Sequence, residues 1–196
     1  MLTFDQIVDK NAKVYPTKIA VSDEIRHLSY NALSKNGSSL TNYFYFLGAR
    51  KKSRVAFLAY NCTEFAEVLY ATAKLGAIIL PINFRLSCQE IEEIINDSKP
   101  KLIIYQRYFE KKISYIKNKI KFNKLNYLRI ENKKSRDCPY KTALNYSKKF
   151  KFKSKTMLSD SWSLMYTSGT TGRPKGVVRS HEGYYHLSKT TVIEIQ

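Results

Sequence analysis

The chain has 196 residues, 43% of them hydrophobic and 13% aromatic, which is enough apolar material for one domain-sized core and excludes a wholly disordered chain. Its formal net charge of +18 at pH 7 would in general draw nucleic acid or an anionic surface. No apolar run is long enough to span a bilayer, and Met1, Leu2, Thr3, Phe4 and Asp5 do not place a basic segment before an apolar one, so neither a membrane span nor a secretory signal is expected and a cytoplasmic location is.

Thr3 and Gln6 have capping-box spacing and open a first helix through Ile7 and Val8; residues 18–22 then read as a strand. From Asn31, the residues Leu33, Gly37, Leu40, Phe44 and Leu47 recur at steps of four and three, with Gly48 where a helix would stop. Residues 55–59 form a short apolar run of the buried-strand type. A helix follows over 63–75 with Phe65, Leu69 and Ala73 on one face, and Gly76 ends it. Residues 77–82 are the next strand. Ser87 and Glu90 form a second capping box ahead of Ile91, Ile94 and Ile95, and residues 102–105 add another strand. The alternation of strand and helix predicts an α/β fold in three layers.

A basic amphipathic segment comes next, with Ile113, Ile116 and Ile120 on one face and Lys112, Lys117 and Lys119 elsewhere. It reads as the solvated outer face of the domain rather than a membrane-surface helix. After a strand at 125–130, residues 131–159 lose periodicity and read as a linker or variable insertion. Between Lys99 and Lys155 lie 19 of the 34 Lys and Arg residues and 3 of the 16 Asp and Glu residues, so nearly all the excess charge sits in one stretch. No recognition helix or stacking motif accompanies it, and nucleic acid is not the expected partner. Cys62, Cys88 and Cys138 lack metal-ligand or redox spacing and are expected to be reduced thiols. Neither a zinc site nor a disulfide frame is expected.

Three of the seven glycines fall in Tyr166-Thr167-Ser168-Gly169-Thr170-Thr171-Gly172-Arg173-Pro174-Lys175-Gly176, between the apolar run 162–166 and the pair Val177 and Val178. Glycines let backbone N–H groups turn toward an anion, the hydroxyls add donors, and Lys175 adds a mobile positive charge. A bland surface turn would not need all three in one uninterrupted string. The common nucleotide P-loop has Ser or Thr after its lysine; here Gly176 follows Lys175. His27, His181 and His186 have no acid or nucleophile partner visible in the sequence, and His181 is expected to serve structure at a helix start.

This string resembles the signature loop of the adenylate-forming (AMP-binding) superfamily, which includes acyl-CoA synthetases, coumarate-CoA ligases, luciferases and peptide-synthetase adenylation domains. Leu28-Ser29-Tyr30 with Leu33 is similar to the family's first short motif, and Ala73-Lys74-Leu75-Gly76-Ala77 with Pro81-Ile82-Asn83 to its second. Arg85-Leu86 and Val177-Val178-Arg179-Ser180-His181 also match in order. Three positions depart from the pattern: Lys52 and Ser53 stand where relatives have a Gly-Asp turn, and Ala32 replaces an acidic residue. The resemblance implies a layered β/α subdomain, the leading part of the family's large N-terminal domain, over residues 1–196.

It also implies a reaction. A carboxylic acid, fatty acids included, attacks the α-phosphate of ATP to give an acyl-adenylate and pyrophosphate, and coenzyme A then displaces AMP. Thr167, Ser168, Gly169, Thr170, Thr171, Gly172 and Lys175 would hold the β- and γ-phosphates. The glutamate that organises Mg2+, the ribose-binding aspartate and the C-terminal lysine of the family have no assignable counterpart here, and members are more than twice this length. The chain alone is therefore expected not to turn over. A separately encoded C-terminal part would complete it; the alternatives are a non-catalytic remnant that keeps phosphate affinity and a basic nucleic-acid-binding protein acting through residues 99–155.

Overall fold

The structure, a computed structural model, describes residues 1–122, 124–131, 138–148, 150, 156–167 and 174–194. Helix α1 (Phe4–Val14) starts from the expected Thr3/Gln6 capping box. A small antiparallel hairpin follows, β1 (Ile19–Ser22) and β2 (His27–Ser29). The Asp23 carboxylate shapes its turn, accepting the N–H groups of Ile25 and Arg26 at 2.8 and 2.7 Å. Ser29 caps α2 (Tyr30–Phe46). Strand β3 (Arg54–Leu58) leads to α3 (Thr63–Leu75), which ends on Gly76 at a left-handed φ of 68°. Next come β4 (Ile78–Pro81), α4 (Cys88–Ser98) with its Ser87/Glu90 box, β5 (Leu102–Gln106), α5 (Glu110–Lys117) and β6 (Asn126–Ile130). The chain continues through α6 (Pro139–Leu144), β7 (Ser161–Thr167), β8 (Lys175–Ser180) and α7 (His181–Glu194).

The large sheet has the order β6-β5-β3-β4-β7-β8, parallel throughout except for the antiparallel β7–β8 pair. Because side chains alternate along a strand, the apolar runs serve two cores. Val55 and Phe57 face one side with α2, α3 and α6, while Ala56 and Leu58 face the other with α4 and α5. The expected three-layer α/β arrangement is thus realised by burying both faces of a parallel sheet. Strand β3 passes to β4 through α3 on the first face, and β4 passes back to β5 through α4 on the second. Direction and face reverse together, which keeps a single crossover hand.

Some elements differ from expectation. Helix α5 stops at Lys117, so Ile120 packs on the second core from outside the helix. Within 131–159, read as a linker or variable insertion, Pro139 starts α6, and Cys138, Tyr140 and Ala143 enter the first core. Helix α3 buries a face turned from the expected one: Phe65 and Leu69 are only half-buried, while Glu67, Val68, Tyr70 and Ala71 are shut away with Ala73. Glu67 is neutralised in place, accepting from Arg26 at 2.8 Å, Asn36 at 2.7 Å and the Tyr140 hydroxyl at 2.8 Å.

Two backbone constraints stand out. Gly37 lets α2 press onto α3, since a Cβ there would lie 2.2 Å from the Tyr70 ring. Lys52, Lys99 and Lys124 adopt left-handed φ of 67°, 46° and 70°, a region that costs a β-carbon residue roughly 1–2 kcal/mol. Gly37→Ala is expected to destabilise the chain by about 2 kcal/mol or more by overpacking. Lys52→Gly should raise stability by about 0.5–1 kcal/mol, the strain relief less the entropy of glycine; equilibrium unfolding in denaturant measures both.

Candidate functional site

In an open parallel sheet, ligands settle outside the carboxyl ends of strands whose onward connections leave to opposite faces. Strands β3 and β4 meet that condition. A groove of about 360 Å³ opens at their carboxyl ends, lined among others by Tyr60, Asn61, Asn83, Phe84, Met165 and Tyr166. Its aromatic wall is firm: the Tyr60 ring meets Phe84 at 4.7 Å and Phe109 at 5.1 Å, and the Tyr60 N–H donates to Gln106 at 2.9 Å. Lys112 braces the same wall by donating to the carbonyls of Phe84, at 2.9 Å, and Leu86. Sequence reading missed this wall, because its residues come from three separate strand ends.

Strands β7 and β8 form the stem of the glycine-rich loop. Tyr166 lies opposite Gly176, and Thr167 opposite Lys175. The expected phosphate-binding residues Ser168, Gly169, Thr170, Thr171 and Gly172 lie outside the described residues. Thr167 and Lys175 are described, both exposed, and as directly opposed residues they share one face at the mouth of the hairpin. Among the described residues no carboxylate pairs with Lys175. The mouth therefore offers a hydroxyl and an uncommitted cation side by side, a donor set that fits an anion.

Tyr166 fixes the stem from the other face. Its ring lies over Gly176, where a Cβ would come within 2.9 Å of the Leu164 side chain and 3.3 Å of the Tyr166 ring. The Tyr166 hydroxyl donates to Asp97 near the end of α4. Burial and then the Asp97 charge push that hydroxyl's pKa well up, so it stays a donor. A second groove joins Tyr166 and Pro174 to Asn96, Asp97 and Lys121, so the loop's exit also leans on α4. The Tyr166–Gly176 pairing follows once the strands are registered about the loop; the Asp97 partner, 69 residues away, carries no local signal.

The far end of the hairpin is packed rather than open. Trp162 stacks on His181 at 4.7 Å and on Phe4 at 5.3 Å, tying β7, α7 and α1 together. Ser163 and Tyr184 hydrogen bond at 2.9 Å. Burial pushes the His181 pKa down to about 4 despite Asp160 nearby, in keeping with the structural role expected of it. Burial likewise lifts the Cys62 thiol to about 12, which leaves it no nucleophile.

With this geometry in place, the chain's likenesses can be stated. The family model for AMP-binding enzymes matches residues 8–195. The chain is 32% identical over 206 aligned residues to the crotonobetaine/carnitine–CoA ligase of Salmonella agona (strain SL483), covering 92% of this chain and 38% of that protein. The crystal structure of the anthranilate CoA ligase AuaEII in complex with anthranoyl-AMP superposes with a TM-score of 0.83 at 25% identity, over 93% of this chain and 35% of that one. A fatty acyl CoA synthetase of Mycobacterium tuberculosis superposes with a TM-score of 0.77 at 26% identity, over 92% and 35%. The chain spans well under half the length of the curated relatives it matches.

Gly176→Ala is expected to cost about 1–3 kcal/mol, because the new methyl must displace Leu164 or the Tyr166 ring; the denaturant midpoint reads it. His181 sets a pH dependence. Its folded pKa of about 4 lies below the ordinary 6.5, so its contribution is full above pH 6.5 and is lost as pH falls toward 4. Stability should drop by about 1–3 kcal/mol over that window, and His181→Phe should flatten the profile.

Proposed function

Because the chain belongs to the AMP-binding enzyme family, we propose that it carries the phosphate-binding part of an ATP-dependent acid–thiol ligase. In this reading a carboxylate oxygen bonds to the α-phosphorus of ATP, the bond to the β-phosphate oxygen breaks, and pyrophosphate leaves. The thiol of coenzyme A then attacks the acyl carbonyl and AMP departs. The carrying observation is the hairpin mouth, where Thr167 and Lys175 stand opposed at the ends of the loop with no carboxylate paired to the lysine among the described residues.

Each group has a physical task in this proposal. Lys175 and the Thr167 hydroxyl meet the charge that grows on the departing pyrophosphate, and fixed donors at that place lower the barrier. Tyr166, held between Gly176 and Asp97, keeps the two sides of the mouth at a set separation. A fatty acid is the proposed acid, supported by the likeness to a fatty acyl CoA synthetase. Among the described residues no group of three His, Cys, Asp or Glu side chains could hold a metal ion, so no ligand to magnesium is assigned here. No helix among them is long and apolar enough to cross a membrane.

Lys175→Ala should weaken binding of ATP or pyrophosphate about 10- to 100-fold, the scale of one charge-assisted phosphate contact; calorimetric titration reads it, and unchanged affinity would remove the lysine from the site. Carboxylate-dependent ATP–pyrophosphate exchange should stay near background for the chain alone and appear on adding a separately produced C-terminal part, since misaligned reactants forfeit up to about 7–11 kcal/mol of proximity.

A further inference from the structure

The amino edge of the large sheet, opposite the strand ends that line the aromatic groove, carries a second cationic feature. Among the described residues, the non-glycine positions with left-handed φ are Lys52, Lys99 and Lys124. Each sits in the connection that feeds a parallel strand: Lys52 before β3, Lys99 before β5, Lys124 before β6. Those are places where glycine would be unstrained. Backbone bonds hold the connections side by side: Lys52 donates to Gly76 at 2.8 Å, Lys101 to Arg54 at 2.8 Å and Asn126 to Lys101 at 3.1 Å. The three connections thus lie next to one another along the amino edge, their backbones at the strand spacing of about 4.8 Å, and Lys52, Lys99 and Lys124 are all exposed there.

Some cations here are already committed. Arg54 is spent on the carbonyls of Ser98 and Lys99 at the end of α4, and Lys51 on Asp160 at 2.7 Å. Lys52, Lys99, Lys101 and Lys124 have no carboxylate within ion-pair distance among the described residues. The end of α2 reaches this edge, since the Asn126 side-chain amide donates to the Leu47 carbonyl at 3.2 Å and Gly48 lies against the Lys101 side chain; there Phe46 is 56% exposed, with its ring supported by Tyr43 at 6.1 Å and Tyr146 at 5.4 Å. The row joins residues from two distant stretches of sequence, so the chain's charge excess alone does not reveal it.

We propose that this edge is an interaction surface for a single-stranded polynucleotide, with its phosphates along the lysine row and a base on the Phe46 ring. A line of cations beside a supported aromatic ring is the general form of such sites. A bilayer fits less well: on the basic helix α5 the aliphatic residues Ile113 and Ile116 are enclosed in the core while Tyr115 is exposed, so the helix presents no aliphatic face to a lipid interface. The surface is separate from the loop hairpin and independent of the ligase reading.

The test uses the full chain and a labelled oligothymidylate, followed by fluorescence anisotropy over a range of salt. Binding should weaken steeply with salt and be unaffected by saturating ATP. The triple variant Lys52→Gly/Lys99→Gly/Lys124→Gly should lose at least tenfold in affinity and about 2 units of log–log salt slope, three contacts at about 0.7 each. Its thermal midpoint should equal or exceed that of the parent, which separates lost binding from lost folding. Phe46→Ala should lower affinity without altering the slope. The proposal is overturned if the triple variant binds like the parent, or if Lys18→Gln/Lys35→Gln/Lys111→Gln, a charge-matched change elsewhere, loses as much. Binding to phosphatidylserine vesicles without binding to the oligonucleotide would also overturn it.

Discussion

One carboxylate organises the first face of the sheet. Glu67 has no exposed surface, and its donors arrive from three elements: Arg26 from the β1–β2 hairpin, Asn36 from α2 and Tyr140 from α6. A buried charge tolerates no missing partner, and removing one from such a set typically costs about 3–5 kcal/mol. The hairpin and both helices are therefore held to α3. Asp23 tightens the same joint, since its carboxylate accepts the Thr63 N–H at the start of α3 at 2.8 Å. Because α3 is the crossover between β3 and β4, fixing it fixes the strand ends that form the aromatic groove.

From that frame the hairpin inherits its position. Strand β7 pairs with β4 and carries Tyr166 to the groove; β8 returns alongside it, so Thr167 and Lys175 can only stand opposed. Tyr166 needs both a glycine across from it and an acceptor on α4. The stem thus rests on two small concessions of the scaffold, an absent β-carbon at position 176 and an acid at the end of α4. The two ends of the sheet also differ in kind: the carboxyl ends meet the aromatic groove and the hairpin mouth, and the amino ends carry the exposed Lys52, Lys99 and Lys124.

Much of this was legible in the sequence, for physical reasons. The Thr3/Gln6 and Ser87/Glu90 boxes satisfy orphan N–H groups within a single turn, so four residues suffice to announce a helix start. Apolar runs such as 55–59 and 102–105 announced strands buried on both faces, observed at Arg54–Leu58 and Leu102–Gln106. Local signals stop where partners are remote. Helix α6 has only six residues and no visible period; its place depends on Tyr140 reaching Glu67, 73 residues away in the chain. Strand β2 has three residues and depends on pairing with β1. The left-handed lysines run against the sequence rule outright, since Lys52 and Lys99 occupy turns that the rule assigns to glycine. Of the loop, residue types were readable; the opposition of Thr167 and Lys175 and the Asp97 tether needed the fold.

The central claim is that the mouth of the β7–β8 hairpin receives the phosphates of a nucleotide. A titration of the isotopically labelled chain with pyrophosphate, followed by amide NMR, addresses it directly. The expected result is saturable shifts centred on Thr167, Lys175 and Gly176, with smaller ones at Tyr166 and Asp97 through their hydrogen bond. Shifts confined to the amino-edge residues 50–54 and 99–101, with the hairpin amides unmoved, would contradict the account.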